Sequence, residues 1–350
     1  MSEKIGNKKL GQVREIAKPF ISVFLALLCG GIIIEIIGEN MGNIYQIMFT
    51  GAFGNRINIA ETLIKSTTLI FTGMSYAFAY KCGLINIGAE GQLYMGAALS
   101  TWIGVNLTGL PAAVHIPVAL LAGFLGGALL GGLVGWLKTR FDANEVITTV
   151  MLNYVAQYLV SWLVTGPMKE QPGDFPQTAM TQESAYLLNI LPGTRLHMGF
   201  VLAIIALVLY GVFLWHTSSG YEMRIVGQNN KVAAYAGMNV KGNVMAAMFI
   251  AGGCGGLAGA MEILGVQHRL LQNFSSGYGF DGIAVSLLGS NNPLGIFLSS
   301  ILFGALKSGG NAVQMFSNVP AAIINIIQAL VIIFVVIDLV SKLWRKKMVK

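Results

Sequence analysis

Ten consecutive residues, Gly83-Leu84-Ile85-Asn86-Ile87-Gly88-Ala89-Glu90-Gly91-Gln92, set three glycines, two amides and a carboxylate between two apolar runs. Such a stretch makes a poor continuous helix, and in lipid an irregular backbone is tolerated only where protein buries it or a water-filled cavity flanks it. A carboxylate at bilayer centre costs about 3 kcal/mol on insertion scales, so Glu90 needs a partner or water. Spacing alone leaves two readings open. One is a broken membrane helix that lines a transport path; the other is a turn in which Glu90 caps the following helix and Lys81 marks the interface. A second Gly- and Asn-containing stretch, Gly279 to Pro293, carries Phe280, Asp281 and Asn291. Between the two, Asn153 and Gln157 stand four residues apart on one helix face beside Tyr154. Asn86, Glu90, Gln92, Asn153, Tyr154, Gln157, Phe280, Asp281 and Asn291 are therefore the candidate path residues, each with interhelical hydrogen bonding as the competing role. Asp281 and Glu262 suit a structural or gating charge network, and Lys65 and Lys307 suit snorkelling.

Covalent and metal chemistry find no comparable support. There is no His-Glu-x-x-His, no carboxylate pair at helical spacing and no serine beside a base, and His115, His197, His216 and His268 are scattered. Cys29, Cys82 and Cys254 each sit in an apolar stretch without disulfide or zinc spacing, which predicts a packing role. No catalytic residue and no metal site is expected. A Gly-rich loop ending in Gly-Lys-Ser or Gly-Lys-Thr is also absent, so the chain has no motif of its own for nucleotide phosphates.

The elements that must position these residues are membrane helices. Of 350 residues, 55% are hydrophobic and 11% charged, against about 25% charged in soluble domains. Apolar runs of about 20 residues recur, the length that crosses a hydrocarbon core. The expected fold is an all-α polytopic membrane protein of about ten segments, one too short to span unbroken, with broken or re-entrant helices. The spans fall at 19–38, 62–80, 91–107, 116–137, 145–164, 197–216, 243–263, 281–290, 293–310 and 320–340. Glycines four apart, Gly123, Gly127, Gly131 and Gly135, and again Gly255 and Gly259, predict close helix contact.

The excess of 22 Lys and Arg over 15 Asp and Glu reads as topology rather than nucleic-acid binding. Basic clusters lie in the tail 1–18, at Lys138 and Arg140, at Arg224, Lys231 and Lys241, and in the tail 341–350. An even number of crossings places all four on the cytoplasmic side, with both termini. The transmembrane domain is then 19–340, with an external loop at 166–196 and a cytoplasmic loop at 217–242. The first span is expected to be a retained helix rather than a cleaved signal. Residues 40–58, too polar to span and too apolar for a free loop, are expected to lie in the outer interface. Matched interruptions at the two Gly/Asn stretches are a faint sign of internal duplication.

Gly83 to Gln92 closely resembles the signature of permease subunits in the branched-chain amino acid and simple-sugar class of ABC importers, most of all the subset that imports nucleosides. Asn144-Glu145-Val146-Ile147-Thr148-Thr149-Val150-Met151-Leu152-Asn153-Tyr154 resembles a second block of the same permeases. A third block, Gly220 to Asn229 running on to Gly237, looks like the cytoplasmic loop that docks on the ATPase. The resemblance extends over nearly the whole chain. It implies coupling roles for Arg224, Gly227, Asn229, Lys231, Ala233, Ala234 and Gly237, although the glutamate that opens this motif in many other ABC importers is missing before Ala233. It further implies a separate ATPase subunit that uses ATP and Mg, a second, non-identical permease, an extracytoplasmic nucleoside-binding lipoprotein, and a place in the bacterial inner membrane, with no cofactor in this chain. Amides suit ribose hydroxyls and base edges, and an aromatic ring offers a stacking surface. Competing readings are a sugar or branched-chain amino acid as cargo, an ion-coupled secondary transporter, which also uses broken helices, and a membrane enzyme.

Overall fold

The computed structural model describes residues 21, 23–317, 319–320 and 323–334. Both basic tails, and part of the last expected span, lie outside the described residues. Thirteen helices follow one another among the described residues: α1 Val23–Ile36, α2 Met41–Phe53, α3 Arg56–Lys81, α4 Ala89–Asn106, α5 Ala112–Phe141, α6 Glu145–Thr165, α7 Gly199–His216, α8 Ser218–Gln228, α9 Asn230–Tyr235, α10 Val240–Glu262, α11 Tyr278–Leu288, α12 Pro293–Phe316 and α13 Ile323–Phe334. No β-strand is assigned among them, only isolated bridges. The chain is an all-α polytopic membrane protein. Five helices are long and apolar enough to cross a bilayer: α5, α6, α7, α10 with its π-helical continuation Ile263–Gln267, and α12. α3 and α4 are not among them for a physical reason. α3 buries the hydroxyls of Thr62, Ser66, Thr67, Thr68, Thr72 and Ser75, and α4 buries Glu90 and Gln92, so polarity that lowers their hydropathy is turned inward.

The chain separates into two compact units. The smaller comprises the residues up to Thr62 together with those from Ala305 on, and the larger runs from Leu63 to Gly304. In the smaller unit, Ile34, Ile44, Val313, Val319, Ile323, Ile324 and Ile327 form one apolar cluster. Residues 40–58, expected in an interface, supply α2 and the start of α3. Asn40 caps α2 by accepting from the Asn43 N–H at 2.9 Å.

The larger unit is built on a three-helix core of α4, α5 and α10. The glycine ladder predicted on α5 is realised at atomic contact: Gly123 faces Gly256 and Ala260, Gly127 faces Gly252 and Gly256, and Gly131 faces Met248 and Gly252. A Cβ at Gly127 or Gly256 would meet backbone atoms closer than any side chain is found, so only glycine lets these helices touch main chain to main chain. α4 joins the same stack through Gly96 on Gly256 and Gly259 on Leu93.

Segment 166–196, expected as a solvated external loop, is largely accessible and is also hydrogen-bonded to the residues after α10. The Thr178 N–H donates to Leu270 O, the Thr181 N–H to His268 O and the Leu187 N–H to Leu264 O. Arg269 pairs with Glu170 at 3.6 Å, and the Tyr186 ring stacks on His268 at 3.9 Å. The cap is polar in composition because it is hydrogen-bonded, not because it is loose.

Candidate functional site

The first break is narrower than its sequence signal. Only Cys82 to Gly88 is non-helical, and Ala89 to Gln92 already belong to α4. Gly83, at φ +80°, makes the turn that glycine permits without strain. The chain then runs extended, and α4 starts beside the middle of α10, with Ala89 and Gln92 against Gly255. The start of α4 is buried, whereas Gly83 and Ile85 of the turn before it are exposed.

Every backbone and side-chain polar group that this irregular stretch exposes needs a partner. Asn86 supplies several of them. Its Nδ2 donates to Ser75 Oγ at 3.0 Å and to Gln92 Oε1 at 3.1 Å, while its Oδ1 accepts from the Gly88 N–H at 3.0 Å and from Gln92 Nε2 at 3.2 Å. Asn153 of α6 bridges the same break, accepting from the Gly91 N–H at 2.8 Å and donating to Ile87 O at 2.9 Å. The Gly91 N–H is one of the donors that the first turn of α4 cannot satisfy internally.

Glu90 ties this hub to α11. Its carboxylate accepts from the Gly279 N–H at 2.7 Å, in the first turn of α11, and Gly279 packs so tightly on the Glu90 backbone that a Cβ there has no room. The carboxylate therefore sits at two helix starts, α4's and α11's, where the positive ends of both dipoles favour a negative charge. Both readings of Glu90 hold a part of the answer: it is buried in a broken-helix assembly, and it caps a helix, though not its own.

The second expected break, Gly279 to Pro293, is largely helix. α11 occupies Tyr278–Leu288, and the interruption shrinks to residues 289–292, where Ser290 and Asn291 adopt φ of +52° and +54°. Helix wins over Gly279 and Gly282 because both pack against neighbouring backbone, Gly282 on Thr72. Asn291 is buried and its Oδ1 accepts from Ser286 Oγ at 2.8 Å, while Asn291 O accepts from Tyr210 Oη at 2.9 Å. An asparagine in each break thus binds a serine of the helix before it, Asn86 to Ser75 and Asn291 to Ser286.

Of the candidate path residues, Asn86, Glu90, Gln92 and Asn153 gather in one buried hub, and Asn291 lies buried at the second break. Tyr154 and Phe280 are exposed, and Gln157 and Asp281 are half-buried. Asn153 and Gln157, predicted on one face of α6, differ in burial: the first bonds to α4, and the half-buried second lies with exposed Tyr154 and Tyr158 and half-buried Ser161 on a polar stripe. The other exposed residues of that helix, Ile147, Met151, Val155, Leu159 and Trp162, are apolar up to Thr165 at its end. Glu262 is buried, accepting from Thr68 Oγ1 and Gln267 Nε2, each at 3.2 Å, which fits the structural network expected of it.

The block from Gly220 to Gly237 forms two short helices. Thr217 caps α8 through the Gly220 N–H at 3.1 Å, and Asn229 caps α9 through the Lys231 and Val232 N–H groups at 3.0 and 3.2 Å. Gly227, at the end of α8, bears directly on the main chain of Lys81 to Gly83, leaving no space for a side chain. Ala233 faces inward, whereas Lys231, Ala234 and Gly237 are exposed. Sequence reasoning missed Tyr235, 93% exposed at the end of α9, and the Gly83–Gly227 contact. An Asn-capped turn ending in a lone aromatic was the available signal for the first; no local signal marks the second.

The profile of a permease family, described as branched-chain amino acid transport system / permease component, matches residues 58–336, and the chain belongs to that family. It is 37% identical over 321 residues, 91% of this chain and 92% of the relative, to the guanosine ABC transporter permease protein NupP of Bacillus subtilis. It is 36% identical to the glucose ABC transporter permease protein TsgB13 of Haloferax volcanii, covering 93% of this chain and 88% of that one. With the nucleoside ABC transporter permease protein NupB of Lactococcus lactis subsp. cremoris it shares 30% identity over 96% and 94% of the two chains. This protein is an ABC-transporter permease, a multi-pass component of the cell membrane.

Proposed function

We propose that this chain is a permease subunit of an ATP-driven importer that carries nucleosides by alternating access. Power enters from a separate ATPase through α8 and α9, and cargo is handed over by an extracytoplasmic nucleoside-binding lipoprotein. The observation that carries the reading is the backbone contact of Gly227 with Lys81–Gly83. It links an exposed helix pair, the proposed cytoplasmic coupling loop, to the turn before α4 without an intervening flexible side chain. Tyr235 and Val232 offer the ATPase an apolar prong, and Lys231 offers a cation for a carboxylate at the groove rim.

The cargo path is assigned to the polar stripe of α6, completed by a second, non-identical permease. Tyrosine hydroxyls and an amide midway along an apolar helix are costly against acyl chains, so that stripe is better placed against an aqueous path or another protein. Asn86, Glu90, Gln92 and Asn153 hold the half-helices that flank it. Nucleosides are favoured as cargo because the relatives at 37% and 30% identity carry guanosine and nucleoside in their names, while the glucose permease makes sugar the second reading.

The test is uptake of radiolabelled guanosine by cells lacking the chain and by complemented cells, with glucose in parallel and an ATPase-inactive partner as control. Guanosine uptake lost with either lesion is the expected result. Loss of glucose uptake alone would move the cargo to sugar, and guanosine uptake that survives an inactive ATPase but falls with the proton or sodium gradient would overturn ATP coupling.

A further inference from the structure

α7 carries a continuous exposed apolar stripe, Val201, Ile204, Ile205, Val208 and Val212, spaced by one to four residues and ending on Trp215 in the last turn. α7 is long and apolar enough to cross a bilayer, so this stripe suits acyl chains, and a tryptophan at the end of such a span suits the headgroup level. Two cations converge on that ring. Lys81 Nζ lies 5.2 Å from its centroid and the Arg224 guanidinium 5.8 Å, with Arg224 also 5.9 Å from the exposed Tyr221 ring. The ring faces attract each cation, but they do not cancel the repulsion between the two.

Neither forms an ion pair like those that join Lys138 to Asp142 and Glu145, or Arg269 to Glu170. The nearest acidic residue on α8, Glu222, accepts from Asn243 Nδ2 at 3.0 Å. Arg224 Nε is buried with no hydrogen-bond acceptor. A buried guanidinium donor without an acceptor is a costly omission, and two like charges over one ring favour an anion beside them.

We infer that Lys81, Arg224 and Trp215 bind the headgroup of an anionic phospholipid, whose acyl chains lie along the α7 stripe. A phosphate bridges the Arg224 guanidinium and the Lys81 ammonium, the two cations that meet over the Trp215 ring. The site favours a net-negative headgroup because it presents two positive charges and no carboxylate to receive a choline or ethanolamine cation. Phosphate chemistry alone fits a free anion too; the apolar stripe running to the ring is what selects a lipid. Lys81 ends α3, and Gly227 of the same helix as Arg224 rests on Lys81–Gly83, so the bound lipid fastens the joint between α8 and the first break. This site stands whatever the cargo proves to be.

The experiment places the assembled transporter in phosphatidylcholine bilayers doped with brominated phosphatidylglycerol or brominated phosphatidylcholine, and reads quenching of Trp215 as the difference between wild type and Trp215→Phe. Stronger quenching by phosphatidylglycerol, with a preference that falls about fivefold for each of Lys81→Gln and Arg224→Gln and persists in Lys81→Arg and Arg224→Lys, is the expected result. The charge-keeping pair and the melting temperature of each variant separate a lost site from a lost fold. Equal quenching by the two lipids would overturn the inference, as would a preference untouched by the double Gln variant. Competition by inorganic phosphate at millimolar concentration would reassign the site to a free anion. Quenching seen only when the ATPase subunit is left out would reassign it to a carboxylate of that partner.

Discussion

The hub around Asn86 and the segment around α9, which the proposed coupling would join through Gly227, are built in opposite ways. The hub is buried, and its amides meet one another and, with the carboxylate, the first turns of two helices; Gly91 and Gly279 are clasped by backbone. The α8–α9 segment leaves Tyr235 and Val232 exposed and Arg224 Nε without an acceptor. The difference teaches how the chain divides its labour. A region that must move as one piece satisfies its polar groups internally, because each buried donor left open costs about 1–3 kcal/mol. A region made to be completed by something else leaves them open.

Four changes would break or sharpen that contrast, taken in order of their effect on the fold. Gly279→Ala drives a methyl into the Glu90 backbone, where no flexible side chain can yield. It is expected to cost several kcal/mol, above the about 1–3 kcal/mol typical of overpacking, and to abolish the monodisperse peak in detergent chromatography.

A second change acts through pH at the cap. Burial, and secondarily the neighbouring His268, push the His197 imidazole down to about 4 from its usual 6.5. Its Nδ1 accepts from the Gly199 N–H at 3.2 Å at the start of α7, so protonation breaks that bond and puts a positive charge at the positive end of a helix dipole. Because the folded value lies below the unfolded one, the stabilisation is complete above pH 6.5 and is lost as pH falls from 6.5 towards 4, by up to about 3 kcal/mol. Melting temperatures across that range should fall in the wild type and flatten in His197→Gln. A slope unchanged in the variant would remove His197 as its cause.

Asn153→Ala unseats the Gly91 N–H and Ile87 O together, for about 2 kcal/mol. Uptake should fall with stability, and a melting temperature equal to wild type would show that the break is held by other means. Tyr235→Ala removes a side chain that touches almost nothing in the chain, so stability should move by less than about 0.5 kcal/mol. Co-purification of the ATPase and uptake should nonetheless collapse; unchanged co-purification would sink the docking role of α9.

Much of this was legible in residue types and spacing. Glycines four apart on α5 pointed to main-chain contact because nothing else lets helices approach so closely, and the contact with α10 is there. The polar decapeptide from Gly83 announced an interruption, since glycine and buried amides fit badly in a lipid-facing helix. In the second stretch the short span expected at 281–290 is met by α11, while the expected break is confined to 289–292: Gly279 and Gly282 are helical because their small size serves packing against Glu90 and Thr72. Local composition cannot tell a glycine that ends a helix from one that lets another helix in.

The sequence by itself determined the solvent, the all-helical architecture and the positions of the polar residues that a membrane protein must account for, because each follows from transfer free energies summed over short windows. Which of those residues meet was decided only by the tertiary structure. Glu90 finds Gly279 and Gly227 finds Lys81–Gly83 across long stretches of chain, and Asn153 turns inward while Gln157, one helical turn on, does not. The reason is that a hydrogen bond or a backbone contact depends on distances of a few ångströms between segments remote in sequence, and no periodicity within either segment carries that distance.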